Sequence, residues 1–185
     1  RIRPFIGGEL IKVMTGIRRS GKSVMLDLIK EELVESGIDS AQFISINFED
    51  MRYSHLQTAT ALHDEIIKRA EDIEGKAYLF FDEIDKMGGA SAKEASPFNL
   101  AMERTKTYKA SRKVYACSTP TLATNYIWNL HDNADEVRHY FVPCPHCGEM
   151  IELLFANVMY DKDEEKEMSN YDRAKTAVYV CPECG

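Results

Sequence analysis

Leu10-Ile11-Lys12-Val13-Met14-Thr15-Gly16-Ile17-Arg18-Arg19-Ser20-Gly21-Lys22-Ser23 is the stretch from which the fold can be read. Its first six residues make a short apolar strand candidate, and the next eight match G-x-x-x-x-G-K-[ST], the pattern of a phosphate-binding loop. A helix pattern follows, with Met25, Leu28, Ile29 and Leu33 at helical spacing and Gly37 as its stop signal. Strand, loop and helix in that order supply what a bound phosphate needs. Glycines let the backbone curl so that its N–H groups point at phosphate oxygens, and the helix adds its positive N-terminal end. On this reading Gly16, Arg19, Ser20, Gly21, Lys22 and Ser23 hold ATP. Lys22 reaches the β- and γ-phosphates, and the Ser23 hydroxyl holds Mg2+. Arg18 or Arg19 could touch the γ-phosphate, although an exposed arginine is the commoner case.

Downstream, residues 42–48 (Gln-Phe-Ile-Ser-Ile-Asn-Phe) read as a second strand ending in Glu49-Asp50. Ser54 can cap a helix with apolar positions Leu56, Ala59, Leu62, Ile66, Ala70 and Ile73, which Gly75 closes. Tyr78-Leu79-Phe80-Phe81 then suits a strand buried on both faces of a parallel sheet. Ligands of open α/β sheets bind outside the carboxyl ends of the strands, and there this strand carries Asp82 and Glu83. With a phosphate loop nearby, Asp82 fits the acid beside Mg2+, and Glu83 fits the base that orients and deprotonates the attacking water. Asp85 reads as a solvated turn residue.

Residues 86–95 are loop-like, and Ser96-Pro97 looks like a helix start leading into Phe98-Asn99-Leu100-Ala101-Met102-Glu103-Arg104. A fourth strand, Val114-Tyr115-Ala116-Cys117-Ser118, runs into Thr119-Pro120-Thr121. Ser118 and Thr119, at the end of a strand next to that of Asp82, could hydrogen-bond the γ-phosphate or the attacking water. Cys117 reads as a small core residue. Residues 121–130 suit a short helix carrying Trp128, the chain's one tryptophan.

Charge is unevenly placed. Residues 1–131 carry 18 basic and 18 acidic side chains, whereas residues 132–172 carry 11 acids against Arg138, Lys162 and Lys166. That acidic segment repels a phosphate backbone on average. Residues 104–113 hold five basic residues, no acid and Tyr108, and are the place where contact with double-stranded DNA is electrostatically plausible. A solvated basic face is the plainer alternative. No run approaches the roughly 18 apolar residues a membrane span needs. Arg1 in place of an initiator Met, and Gly185 directly after a cysteine pair, lead us to expect a fragment.

Four of the five cysteines form Pro143-Cys144-Pro145-His146-Cys147-Gly148 and Cys181-Pro182-Glu183-Cys184-Gly185. In each C-P-x-C-G knuckle the glycine relieves the turn that aims both sulfurs at one ion. With no secretion signal, Cys144, Cys147, Cys181 and Cys184 read as a Zn2+ site rather than two disulfides. Four thiolates leave no open position, so such a site is structural.

The chain resembles two families. Arg3-Pro4-Phe5, Ile11-Lys12-Val13, 16–23, Asn47-Phe48-Glu49-Asp50 and 78–84 are similar to the AAA-type P-loop ATPases of bacteria and archaea, over residues 1 to about 85. Asp82-Glu83-Ile84-Asp85, Ser96-Pro97, Glu103-Arg104-Thr105-Lys106-Thr107, Ser118-Thr119-Pro120-Thr121 and both knuckles resemble the large terminase subunit of lambda-like phages (the GpA family), from about Phe81 to Gly185. The resemblances change over near 81–85, as in a hybrid chain. The terminase likeness implies an ATP-driven DNA-packaging motor working as a homo-oligomeric ring, with Asp82 and Glu83 as its acids and Ser118-Thr119 coupling hydrolysis to movement. It implies a bacterial or phage-infected cytoplasm. Both likenesses imply a sheet with an added strand between the phosphate-loop strand and the acidic strand. Neither the terminase nuclease domain nor the C-terminal domain of the AAA type is expected in these residues, so nuclease activity is not.

The expectation is therefore an α/β P-loop NTPase core over 1–131, a mostly parallel sheet flanked by helices, with a zinc-ribbon-like segment over 140–185 cut at its end. Mg2+-dependent ATP hydrolysis is the first functional reading. An AAA-type nucleotide-binding, zinc-organised interaction module with little or no turnover is the second.

Overall fold

The apolar run after Leu10 becomes strand β1 over Lys12–Thr15, and the 16–23 loop delivers the chain into helix α1, Lys22–Glu35. The computed structural model describes residues 6, 8, 10–87, 97–104, 112–120, 125–162 and 168–185. Helix α1 ends as Gly37 foretold. Gly37 takes a left-handed φ of 92°, its N–H donates to the Val34 carbonyl, and the Ile38 N–H reaches back to Leu33. The buried stripe is Lys22, Leu26, Ile29 and Leu33, and Met25 and Leu28 are exposed, contrary to expectation. Lys22 explains the offset. Turning its side chain inward rotates onto the core the residues four and seven positions further on.

Strand β2 covers Phe43–Asn47. The following helix, α2, runs Ala59–Ala70 and is capped by Thr58, whose hydroxyl accepts the Ala61 N–H at 3.2 Å. The expected cap, Ser54, instead ends a 3-10 turn over Met51–Tyr53 that the Asp50 carboxylate initiates by accepting the Arg52 N–H. A local side-chain bond thus takes precedence over helix extension there. Strand β3 is Ala77–Asp82, helix α3 Pro97–Arg104, strand β4 Arg112–Ser118 and helix α4 Tyr126–Asp132. Ser96 and residues 121–124, where helix starts were expected, lie outside the described residues.

The four strands form one parallel sheet in the order β1-β4-β3-β2. Both central strands are covered twice. Leu79, Phe81, Val114 and Ala116 pack with Leu62 and Ile66 of α2, Phe98 of α3 and Ile127 of α4. Tyr78, Phe80, Tyr115 and Cys117 pack with Leu26, Ile29 and Leu33 of α1. This two-sided burial explains why β3 reads as a continuous apolar run instead of an alternating one. Tyr115, fully buried, donates its hydroxyl to the Ile6 carbonyl at 2.6 Å. Burial pushes the phenol up to about 12, keeping it a neutral donor.

Of the basic stretch 104–113, the structure describes the side chains of Arg112 and Lys113. Residues 105–111 lie outside the described residues. Arg112 and Lys113 belong to β4, where Lys113 is buried and Arg112 donates to the Met102 carbonyl at 3.1 Å.

Residues 1–134 form one unit and 135–185 a second. The second holds two antiparallel hairpins, β5 (Phe141–Pro143) with β6 (Met150–Glu152), and β7 (Val158–Met159) with β8 (Val178–Tyr179), the latter pair interrupted by α5 (Asn170–Lys175). Its small core is Cys144, Ile151 and Cys181, flanked by Val142 and Tyr179. No described helix is long and apolar enough to cross a membrane.

Phe81 is fully buried, edge-on to Phe98 at 5.3 Å and stacked with Phe48 at 6.2 Å. Phe81→Ala is expected to cost about 3–5 kcal/mol, a large part of a domain's stability, read as a lowered urea midpoint.

Candidate functional site

Three strand ends and the loop before α1 meet at the carboxyl edge of the sheet. Two backbone positions make the loop possible. Arg19 and Gly21 both take left-handed conformations, with φ of 64° and 87°. Gly21 caps α1 without a side chain, and no acid sits in the first helical turn, so the positive end of α1 is left for an anion. A Cβ on Gly16 would lie 3.0 Å from the hydroxyl of the exposed Ser20, a crowding that rotation of that side chain could relieve. Arg18, Arg19 and Ser20 are exposed. Arg18 reaches Glu49 at 3.5 Å, a solvent-screened contact of little energetic weight.

Lys22 is buried and turns back under the loop, donating to the Ile17 carbonyl at 3.0 Å and to the Thr119 hydroxyl at 2.8 Å. The second bond ties the loop to the end of β4, 97 residues away. Ser118, fully buried, lies between two groups of the next strand's exit. Its hydroxyl donates to Glu83 at 3.4 Å and accepts the Asp85 N–H at 3.3 Å. Glu83 itself has a left-handed backbone, φ 51° and ψ 48°, unusual for a side-chain-bearing residue. The 3-10 turn Ile84–Lys86 that follows closes on the Glu83 carbonyl through the Lys86 N–H at 2.9 Å.

Ser23, Asp82, Asp27 and Asn47 line a common cavity of about 260 Å³. Every side-chain donor atom among these four that could meet a metal is an oxygen. Lys30 also lines the cavity and holds Asp27 at 3.0 Å, and Asn47 Oδ1 accepts the Glu49 N–H, which leaves Ser23 and Asp82 as the oxygens that suit a hard cation such as Mg2+.

Sequence reasoning missed three features. The Cys117 thiol donates to Asp82 at 2.9 Å, and burial together with that bond pushes the thiol up, so it stays protonated. Asp27 and Asn47 share the cavity of Asp82. Asp85 is not a solvated turn residue: its carboxylate accepts the Ile127 N–H at 2.9 Å and the Asn125 amide at 3.3 Å. The partners of Cys117 and Asp85 lie 35 and 42 residues away, so no local pattern announces them.

In the second unit the four sulfurs of Cys144, Cys147, Cys181 and Cys184 lie within 4.8 Å of one another. The Cys144–Cys184 and Cys147–Cys181 pairs are each 3.9 Å apart. Four sulfurs about 2.3 Å from a tetrahedral Zn2+ would be separated by about 3.8 Å, so the cluster fits that ion. These are thiols, not disulfides. Each knuckle aims a backbone N–H at its first sulfur, His146 at Cys144 and Glu183 at Cys181, both 3.4 Å. The N–H groups of Cys147 and His146 hold the Cys144 thiol down to about 6, while hydrogen bonds from the neighbouring thiols push Cys184 up to about 12, so without an ion the cluster keeps protons that four-thiolate ligation would have to release.

Among known proteins, the family of the phage terminase large subunit gpA, ATPase domain, matches residues 41–185. The match starts upstream of Phe81, so β2 and α2 fall inside it, and the 16–23 loop lies outside. A protein of Haemophilus influenzae, described as an uncharacterized protein, is 35% identical over 81 residues, which cover 44% of this chain and 20% of that protein. The chain thus spans about a fifth of the length of that relative. Since the family match takes in well over half of its residues, the chain belongs to the family of the phage terminase large subunit gpA, ATPase domain.

Proposed function

We propose that the 1–134 unit is a P-loop NTPase core that hydrolyses ATP with Mg2+, and that it serves as the ATPase part of a terminase-like DNA-packaging motor. The observation that carries this reading is the meeting of Lys22, Glu83, Ser118 and Thr119 through side-chain bonds at one edge of a parallel sheet. Family membership supports the ATPase class. The position of β4 between β1 and β3 agrees with the added strand that both resemblances imply.

In this reading the loop backbone of Gly16, Arg19, Ser20 and Gly21 receives the phosphates. Lys22 exchanges its bonds to Ile17 and Thr119 for β- and γ-phosphate oxygens. Ser23 and Asp82 would hold Mg2+, which would neutralise negative charge on the phosphates. Glu83 takes a proton from water as the water oxygen attacks the γ-phosphorus. The bond to the β,γ-bridging oxygen breaks, and ADP and phosphate leave. Thr119, bonded to Lys22, would feel loss of the γ-phosphate, and Ser118 beside it contacts Glu83.

The zinc assignment belongs to the same proposal. Cys144, Cys147, Cys181 and Cys184 hold a structural Zn2+ within 140–185, and the ATPase core takes in residues 1–131 of the first unit. The wider partners are those of a packaging motor: double-stranded DNA, and further copies of the chain in a ring, in a bacterial or phage-infected cytoplasm. DNA contact through 104–113 now falls on residues 104–111, since Arg112 and Lys113 are committed to β4. The AAA-type likeness of residues 1–85 enters as a composite origin for a chain whose 16–23 loop lies outside the family match. A contiguous single-molecule DNA read across codons 78–90 is its test.

ATP hydrolysis should be measured for the wild-type chain, Lys22→Ala and Glu83→Gln, with and without double-stranded DNA. Lys22→Ala is expected to lose nucleotide binding and turnover. Glu83→Gln should bind ATP yet turn over about 10²–10⁴-fold more slowly, the usual loss for a general base. Stimulation by DNA marks the motor, and binding without turnover marks the nucleotide-binding module. Indifference of both binding and turnover to Lys22 ends the ATPase reading.

Metal analysis should find about one zinc per chain, and chelation should unfold the 135–185 unit, because metal-binding energy there is folding energy. A content far below one ion defeats the four-thiolate assignment.

A further inference from the structure

Asp85 does more than follow Glu83 in sequence. Its carboxylate receives the Ile127 N–H at 2.9 Å and the Asn125 amide at 3.3 Å, so it anchors the first turn of α4. Its own N–H is taken by the buried Ser118 hydroxyl, which also contacts Glu83. Between these anchors lies Ile84, fully buried. The 84–86 turn is therefore held from three sides: by β4 through Ser118, by the core through Ile84 and by α4 through Asp85. The residue so aimed is Glu83, whose left-handed backbone needs its surroundings to over-determine it.

We propose that Asp85 and Ser118 are positioning residues for Glu83, and that Asp85 makes the docked state of α4 a condition for turnover. This rests on the ATPase reading above. Released from Asp85, the α4 N-terminus loses a charge-assisted bond, and the turn loses the contact that opposes relaxation of Glu83. Neither residue need touch the nucleotide, so the inference separates Ser118 from the phosphate-facing role its position in the sequence suggested and leaves that role to Thr119, the partner of Lys22.

Trp128, the chain's one tryptophan, sits in α4 next to Ile127, stacked on His131 at 5.5 Å and partly exposed. Its emission therefore reports the docking of α4 independently of hydrolysis.

Asp85→Ala, Asp85→Asn and Ser118→Ala should be compared with the wild type by steady-state kinetics and by Trp128 emission without nucleotide. Asp85→Ala is expected to lower kcat at least about tenfold while KM for ATP stays within about twofold, and to shift Trp128 emission to the red. Asp85→Asn keeps an oxygen that accepts the Ile127 N–H, and should restore both readouts to within about threefold of wild type. Ser118→Ala, a small change less disruptive to the fold, should give the same split, kcat falling with KM unchanged. A Ser118→Ala variant whose KM rises while kcat holds makes Ser118 a nucleotide contact and overturns the inference. So does wild-type turnover in Asp85→Ala, or Asp85→Asn as damaged as Asp85→Ala. These outcomes are distinct from failure of the ATPase reading, in which the wild type itself does not hydrolyse ATP. The emission comparison still decides whether Asp85 docks α4.

Discussion

Burial of β3 on both of its faces is the constraint from which the rest of the first unit follows. Tyr78 and Phe80 look toward α1, Leu79 and Phe81 toward α2 and α3. A strand so placed has to be interior, with hydrogen-bonded neighbours on both sides, and β4 and β2 supply them. Once β3 is interior its polar residues can only appear where it leaves the sheet. Asp82 and Glu83 are there, and the same edge receives Ser118 from β4 and Lys22 from the loop. Chemistry gathers at this edge because packing excludes it elsewhere.

The two kinds of side chain that meet there are held by different means. Lys22 and Thr119 share one side-chain bond, which under the proposed ATPase reading a phosphate would replace. Cys117 and Ser118 are fully buried, and their bonds to the Asp82 and Glu83 side chains lie inside the sheet. Binding can therefore be adaptable at the loop while the acids keep their aim. In the second unit Cys144, Ile151 and Cys181 make too small an apolar core to fix two hairpins alone, and an ion held by the four clustered sulfurs would supply the missing rigidity.

Much of this was legible in the residues. The strand–loop–helix reading of 10–37, the buried run 78–81, the fourth strand and both cysteine knuckles each rest on a local pattern, and local patterns survive into structure. The misreadings have a common cause. Met25 and Leu28 have the right spacing for a buried stripe, but the inward Lys22, fixed by a residue nearly a hundred positions on, sets the helix rotation. Ser54 is a good cap that Asp50 and Thr58 displace. Arg112 and Lys113 read as part of a basic face because charge alone does not reveal that a strand runs through them. Asp85 looked solvated because its partners sit on an element 42 residues downstream.

The place of β4 also has a consequence in time. Among the described residues β1 pairs with β4 alone, and Lys22 and Thr119 are 97 residues apart. A chain made from its N-terminus thus carries β1 and its loop without a sheet partner until β4 emerges. At about 5–20 residues per second that interval is on the order of 5–20 s. Until then β2 and β3 can pair with each other while the β1 edge remains open. Completion of the sheet by β4 is the step at which the loop, the acids and the hydroxyls first come together, so any ligand that needs all three can stabilise the nascent chain only after residue 119 has left the ribosome.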